Sequence, residues 1–108
     1  MIELKAFVHA IRIGEVIAAI KASAAWTACE KDGPPNLAVY VVKGSLLPVD
    51  PRERQYSVEL GGEVVNEYKL ELVCADEEVE ELLRVISGAA LTGAPMGGWI
   101  TVASLDRA

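Results

Sequence analysis

Apolar and polar residues alternate from Ile2 to His9, with Ile2, Leu4, Ala6 and Val8 on one face and Glu3, Lys5, Phe7 and His9 on the other. A period of two predicts a strand. From Gly14 the spacing lengthens. Val16, Ile17, Ile20 and Ala24 recur at helical intervals among alanines, so a helix is expected to run to about Cys29 before Asp32-Gly33-Pro34-Pro35 stops it. Leu37 to Val42 is short, β-branched and nearly all apolar, the pattern of a strand covered on both faces, and Lys43-Gly44 ends it. Ser45 to Gly62 holds Pro48, Pro51 and the charged Asp50-Pro51-Arg52-Glu53-Arg54, and reads as a long exposed loop without a regular ladder. Alternation returns from Val64, with Tyr68, Leu70, Leu72 and Cys74 facing in and Glu67, Lys69 and Glu71 facing out. Asp76 is the expected cap of a helix whose first turn carries Glu77 and Glu78 and whose core face is Val79, Leu82, Leu83 and Ile86. Beyond Gly88 the apolar helix gives way to a glycine-rich turn and then to a last strand, Trp99 to Leu105.

This order, βαββαβ, predicts an α+β fold of the ferredoxin-like kind: two helices on one face of a four-stranded antiparallel sheet, in a single domain spanning 1–108. Apolar residues make up 52% of the chain and charged residues 24%. With the second and last strands apolar on both sides, the uncovered face of the sheet predicts a homo-oligomer.

Charge narrows the classes of function. The formal charge is -6 and the basic residues are scattered, which excludes a phosphate-tracking stripe and so nucleic acid. Val16 to Trp26 is interrupted by Lys21 and too short to span a bilayer, and Glu3 and Lys5 break any signal-peptide pattern, so a cytoplasmic chain without membrane insertion is expected. Cys29 and Cys74 stand outside C-x-x-C spacing and His9 is the only histidine, too few ligands for a zinc site. Cys74 reads as a small buried hydrophobe, and the acidic cluster Glu77, Glu78, Glu80 and Glu81 as a solvated helix face. His9 has no evident catalytic partner, so a hydrogen-bonded histidine in a non-enzymatic chain is expected.

The candidate chemistry lies in Leu91-Thr92-Gly93-Ala94-Pro95-Met96-Gly97-Gly98-Trp99-Ile100-Thr101-Val102. Glycine lets successive backbone amides converge on an anion, and it also stops a helix; both uses fit this position.

Three blocks together resemble the PII signalling proteins, trimeric regulators of nitrogen and carbon metabolism. Lys5-Ala6-Phe7-Val8-His9-Ala10-Ile11-Arg12-Ile13-Gly14-Glu15-Val16 is similar to the family's E-A-I-I-K-P-F-K-L-D-E-V, and Val42-Lys43-Gly44 to the V-K-G that launches its T-loop. Thr92-Gly93, followed at the same spacing by Gly98-Trp99-Ile100-Thr101-Val102, is similar to T-G-K-I-G-D-G-K-I-F-V, the B-loop and last strand. The resemblance implies a trimer formed by the sheets, ATP or ADP in clefts between subunits, and a T-loop, here 45–62, that reaches a transporter or metabolic enzyme.

The chain also departs from the family. The B-loop lysines fall at Ala94 and Trp99, the family's Gly-Asp is Met96-Gly97, the lysine before the third strand falls near Glu67, and Ser45-Leu46-Leu47-Pro48 replaces a glycine, an arginine and a glutamine. The arginine pair that commonly grips the phosphates falls beyond Ala108. Each charge-assisted bond is worth about 1.5 to 3 kcal/mol, so tight ATP binding of the family's usual kind is not expected.

What the resemblance leaves is a backbone site. Gly44, Thr92, Gly93, Gly97 and Gly98 are the candidate contacts for a nucleotide (ADP, AMP or ATP) or for bicarbonate, the effectors of divergent PII-like proteins tied to carboxysomes or bicarbonate transporters. Arg52, Arg54 and Tyr56 are the candidate partner-binding residues, although the surroundings of Tyr56 do not match those of the tyrosine modified in some PII proteins. The alternatives are a CutA-like trimeric metal-tolerance protein, whose tryptophan-rich strand motif is absent, and a bicarbonate-linked regulator with little nucleotide binding.

Overall fold

The computed structural model describes residues 1–31, 37–44, 54–57, 62–91 and 98–105. In chain order the elements are β1 (Ile2–His9), α1 (Ile13–Ala22), α2 (Ala24–Lys31), β2 (Leu37–Gly44), β3 (Arg54–Ser57), β4 (Gly62–Cys74), α3 (Val79–Ala89) and β5 (Gly98–Ser104), with a 3-10 turn at Asp76–Glu78 leading into α3. The main sheet runs β2-β4-β1-β5, every pair antiparallel, and β3 pairs with β4. β4 therefore sits between β1 and β2, and β1 between β4 and β5, so two split β-α-β units interleave. The α+β class and the antiparallel sheet are as the pattern predicts, and the arrangement is compatible with a ferredoxin-like fold.

Register decides which side chains meet. Ile2 lies opposite Cys74, Leu4 opposite Leu72 and Ala6 opposite Leu70, which puts the apolar halves of β1 and β4 on one face. Against that face pack Val16 and Ile20 of α1, Ala25 and Trp26 of α2, and Leu82 and Ile86 of α3, all buried. Each such aliphatic side chain contributes about 1.5 to 3 kcal/mol on full burial. Cys74 belongs to this core, and burial pushes its thiol up to about 11 from the usual 9.0. It fills space, as expected.

Three expectations are corrected. The first helix does not run unbroken to Cys29: Ser23 is extended, with φ -79° and ψ 151°, and separates α1 from α2. Its hydroxyl donates to the Ile20 carbonyl at 2.6 Å and accepts the Trp26 N–H at 3.2 Å, so one side chain satisfies the end of one helix and the start of the next. Asp76 does not cap α3. Because Ile2 pairs with Cys74, the Met1 ammonium arrives beside Asp76 and takes its carboxylate at 3.0 Å. The segment 45–62 is not loop throughout, since Arg54 to Ser57 pair with Val65 back to Gly62 as a hairpin arm. Val65 pairs with Gly44 as well as with Arg54, so β2 and β3 lie on opposite edges of β4 and β3 continues the edge that β1 occupies.

Candidate functional site

Gly44 ends β2 and Gly98 begins β5, and both lie at the end of the sheet where β1 finishes. The pairing fixes this: Glu67 lies between His9 and Val42, and Gly98 lies opposite Val8. The two glycines nonetheless occupy opposite edge strands. Three strand spacings separate β2 from β5, about 14 Å, so one chain does not bring both to a single small anion. Arg54 and Tyr56 lie on β3 rather than in a loop. Arg52, Thr92, Gly93 and Gly97 fall outside the described residues.

Gly98 has a packing reason to be glycine. A Cβ there would collide with the Phe7 carbonyl oxygen, because β1 and β5 approach closely at the Val8 pair. Its amide is thus placed by the sheet, whatever else it does.

The turn from β1 to α1 lies at the same end. The His9 carbonyl accepts the Arg12 N–H at 2.9 Å, and the His9 Nδ1 accepts the Ile11 N–H at 3.1 Å, so the imidazole reinforces the turn as a short polar side chain would. With Nδ1 accepting, the proton of the neutral ring belongs on Nε2. His9 is therefore hydrogen-bonded, as its sequence setting predicts. Glu67, opposite it, was expected to face solvent; it lies on the outer face but is 1% exposed, flanked by His9 and Val42. From the end of this turn Arg12 reaches across to α3. Its Nε donates to the Ala89 carbonyl at 2.9 Å while Nη1 meets the Glu15 carboxylate at 2.7 Å.

On the outer face a row of side chains crosses all four main strands: Trp99, Phe7, Lys69 and Tyr40 are successive partners. The Phe7 and Trp99 rings stack at 4.8 Å, and the Lys69 ammonium lies 5.6 Å from the Phe7 ring centre and 5.2 Å from that of Tyr40. Glu71 gathers this row, accepting the Tyr40 hydroxyl at 2.5 Å and meeting Lys69 at 3.2 Å. The Tyr40 hydroxyl and then Lys69 hold the Glu71 carboxyl below its usual 4.5, and Tyr40 and then Glu71 hold the Lys69 ammonium above its usual 10.5.

The sequence reading did not single out Arg12, Tyr40 or Lys69. Arg12 and Glu15 stand at i and i+3, which is a readable pair, but nothing local points to a carbonyl at Ala89. The Tyr40, Lys69 and Glu71 group becomes visible only once the register of β2 on β4 is known. Among the described residues no three His, Cys, Asp or Glu side chains gather in a way that could hold a metal ion, and no helix is long and apolar enough to cross a membrane. No protein-family model matches the chain, and no curated protein matches it.

Proposed function

We propose that this chain is a PII-like regulatory protein, a homotrimer that takes a small anionic effector in clefts between subunits and signals through the segment joining β2 to β4. The effector is an adenine nucleotide or bicarbonate, and the partner a transporter or metabolic enzyme. One observation carries the reading: Gly44 and Gly98 share one end of the sheet but sit on opposite edge strands. A site using amides from both cannot close within one chain. A second copy whose β2 edge meets this β5 edge closes it, and repeating that head-to-tail contact around a ring gives a cyclic assembly.

The edges support such an assembly. Val39, Tyr40 and Val41 on β2 and Trp99 and Val102 on β5 are each 39% or more exposed in the single chain. Ile11 and Leu91, near the Arg12 to Ala89 bond, are 60% and 72% exposed. With Ala94 and Trp99 where the resembling family has lysines, the effector is held by backbone amides, and the γ-phosphate adds little.

Light scattering with calorimetry tests this. The expected outcome is a mass near three chains, with ADP or bicarbonate bound and no strong preference for ATP over ADP. A clean monomer at micromolar concentration removes the intersubunit cleft, and binding of a divalent metal alone favours the metal-tolerance alternative.

A further inference from the structure

We propose that Arg12 is the positioning residue of the glycine-rich segment, holding its two ends in the mutual arrangement that an anion site there requires; the inference rests on the regulatory reading above. Residues 92–97 follow α3 shortly after Ala89 and re-enter the sheet at Gly98. At the first end, Arg12 Nε donates to the Ala89 carbonyl across 77 positions of sequence. At the second, Gly98 pairs with Val8 against the Phe7 carbonyl. Both ends are thus attached to one short stretch, Phe7 to Arg12, whose turn is closed by the bonds to the His9 carbonyl and His9 Nδ1.

The chemistry at Ala89 suits an arginine. The last carbonyls of a helix lack intrahelical partners and carry the negative end of its dipole, so a cationic donor there restrains the final turn. The guanidinium is planar and its bonds are directional, and Glu15 at 2.7 Å orients it from the other side. Without that restraint the end of α3 frays, and a ligand bound by the following amides must first order them, which lowers its affinity.

The test compares wild type with Arg12→Gln, Arg12→Lys and Glu15→Gln, using ADP calorimetry and hydrogen exchange. In Arg12→Gln the ADP affinity is expected to fall about tenfold, the scale of one lost charge-assisted bond. Exchange should quicken at Ala90, Leu91, Gly98 and Trp99 and stay unchanged at Leu70 and Leu72. Arg12→Lys keeps a charged donor and should recover part of both effects. Glu15→Gln, which leaves the bond to Ala89, should show a smaller change in the same direction, and it carries the comparison if Arg12→Gln does not fold. Unchanged affinity with unchanged exchange overturns the proposal, as does a uniform rise in exchange across the core. If wild type binds neither ADP nor bicarbonate, the regulatory reading fails. The exchange comparison then still decides whether Arg12 holds the two ends.

Discussion

Lys69 and Leu70 are neighbours in β4, yet they belong to surfaces built on different physics. Leu70 is 1% exposed, on the face that α1, α2 and α3 cover, and with Leu4, Ala6 and Leu72 it owes its place to the removal of apolar surface from water. Lys69 lies on the open face between two aromatic rings and beside Glu71, held by directed contacts with particular partners. Cross-strand pairs of that kind are worth about 0.2 to 1 kcal/mol each. The covered face stabilises the fold. The open face, with Trp99 and Tyr40 each 39% exposed at the ends of its row, contributes little to folding and is left available for burial against another surface.

The sharpest way to break this contrast is to truncate the two neighbours in turn. Leu70→Ala should lose about 2 to 5 kcal/mol in urea unfolding, because it leaves a cavity between β4 and the helices. Lys69→Ala should lose under about 1 kcal/mol, the range of a partly exposed ion pair and cation-π contact. Equal losses would mean that the open face is as essential to folding as the core. Next in size is Gly98→Ala, which tests the edge shared by both faces. The new methyl group meets the Phe7 carbonyl, a backbone atom that cannot turn aside, so β5 must shift on β1 at a cost of about 1 to 3 kcal/mol. Faster hydrogen exchange along β5 with β4 unaffected is the accompanying signature, and a variant as stable as wild type would refute the close approach.

The covered face was also the more legible of the two in the sequence. Period-two alternation in Ile2 to His9 and from Val64 to Cys74 marks its residues directly, because burial on one side writes a pattern that needs no knowledge of partners. What stayed hidden depends on pairing at a distance. Glu67 reads as solvent-facing until His9 and Val42 are placed on either side of it. The β3 ladder is obscured by the nearby Pro48 and Pro51, although Gly61-Gly62 was a usable hairpin cue. Ser23 was legible in principle, since serine is a preferred start for a helix, but alanines on both sides argued for continuity. The candidate site shows the same division: Gly44 and Gly98 could be named from local motif, whereas the Arg12 bond to Ala89 could not.

The smallest expected effect concerns pH and is confined to the open face. The Glu71 carboxyl is held below its usual 4.5, chiefly by the Tyr40 hydroxyl, so its contribution is present above that value and is lost as pH falls through the lowered folded-state pKa. The Lys69 ammonium is held above 10.5, so its contribution is complete below that value and is lost as pH rises through the raised one. Between the two limits the network is intact and stability should be flat with respect to both groups. Tyr40→Phe removes the leading cause at each end while keeping the ring over Lys69. The variant should melt slightly below wild type at neutral pH, and the gap should close in acid, because protonation of Glu71 costs wild type the same bond that the variant already lacks. NMR titration of the Glu71 carboxyl provides the direct check: its pKa should rise toward 4.5 in the variant. An unchanged Glu71 titration would show that the Tyr40 hydroxyl does not hold this carboxylate, and the open face would then be a set of independent side chains rather than a network.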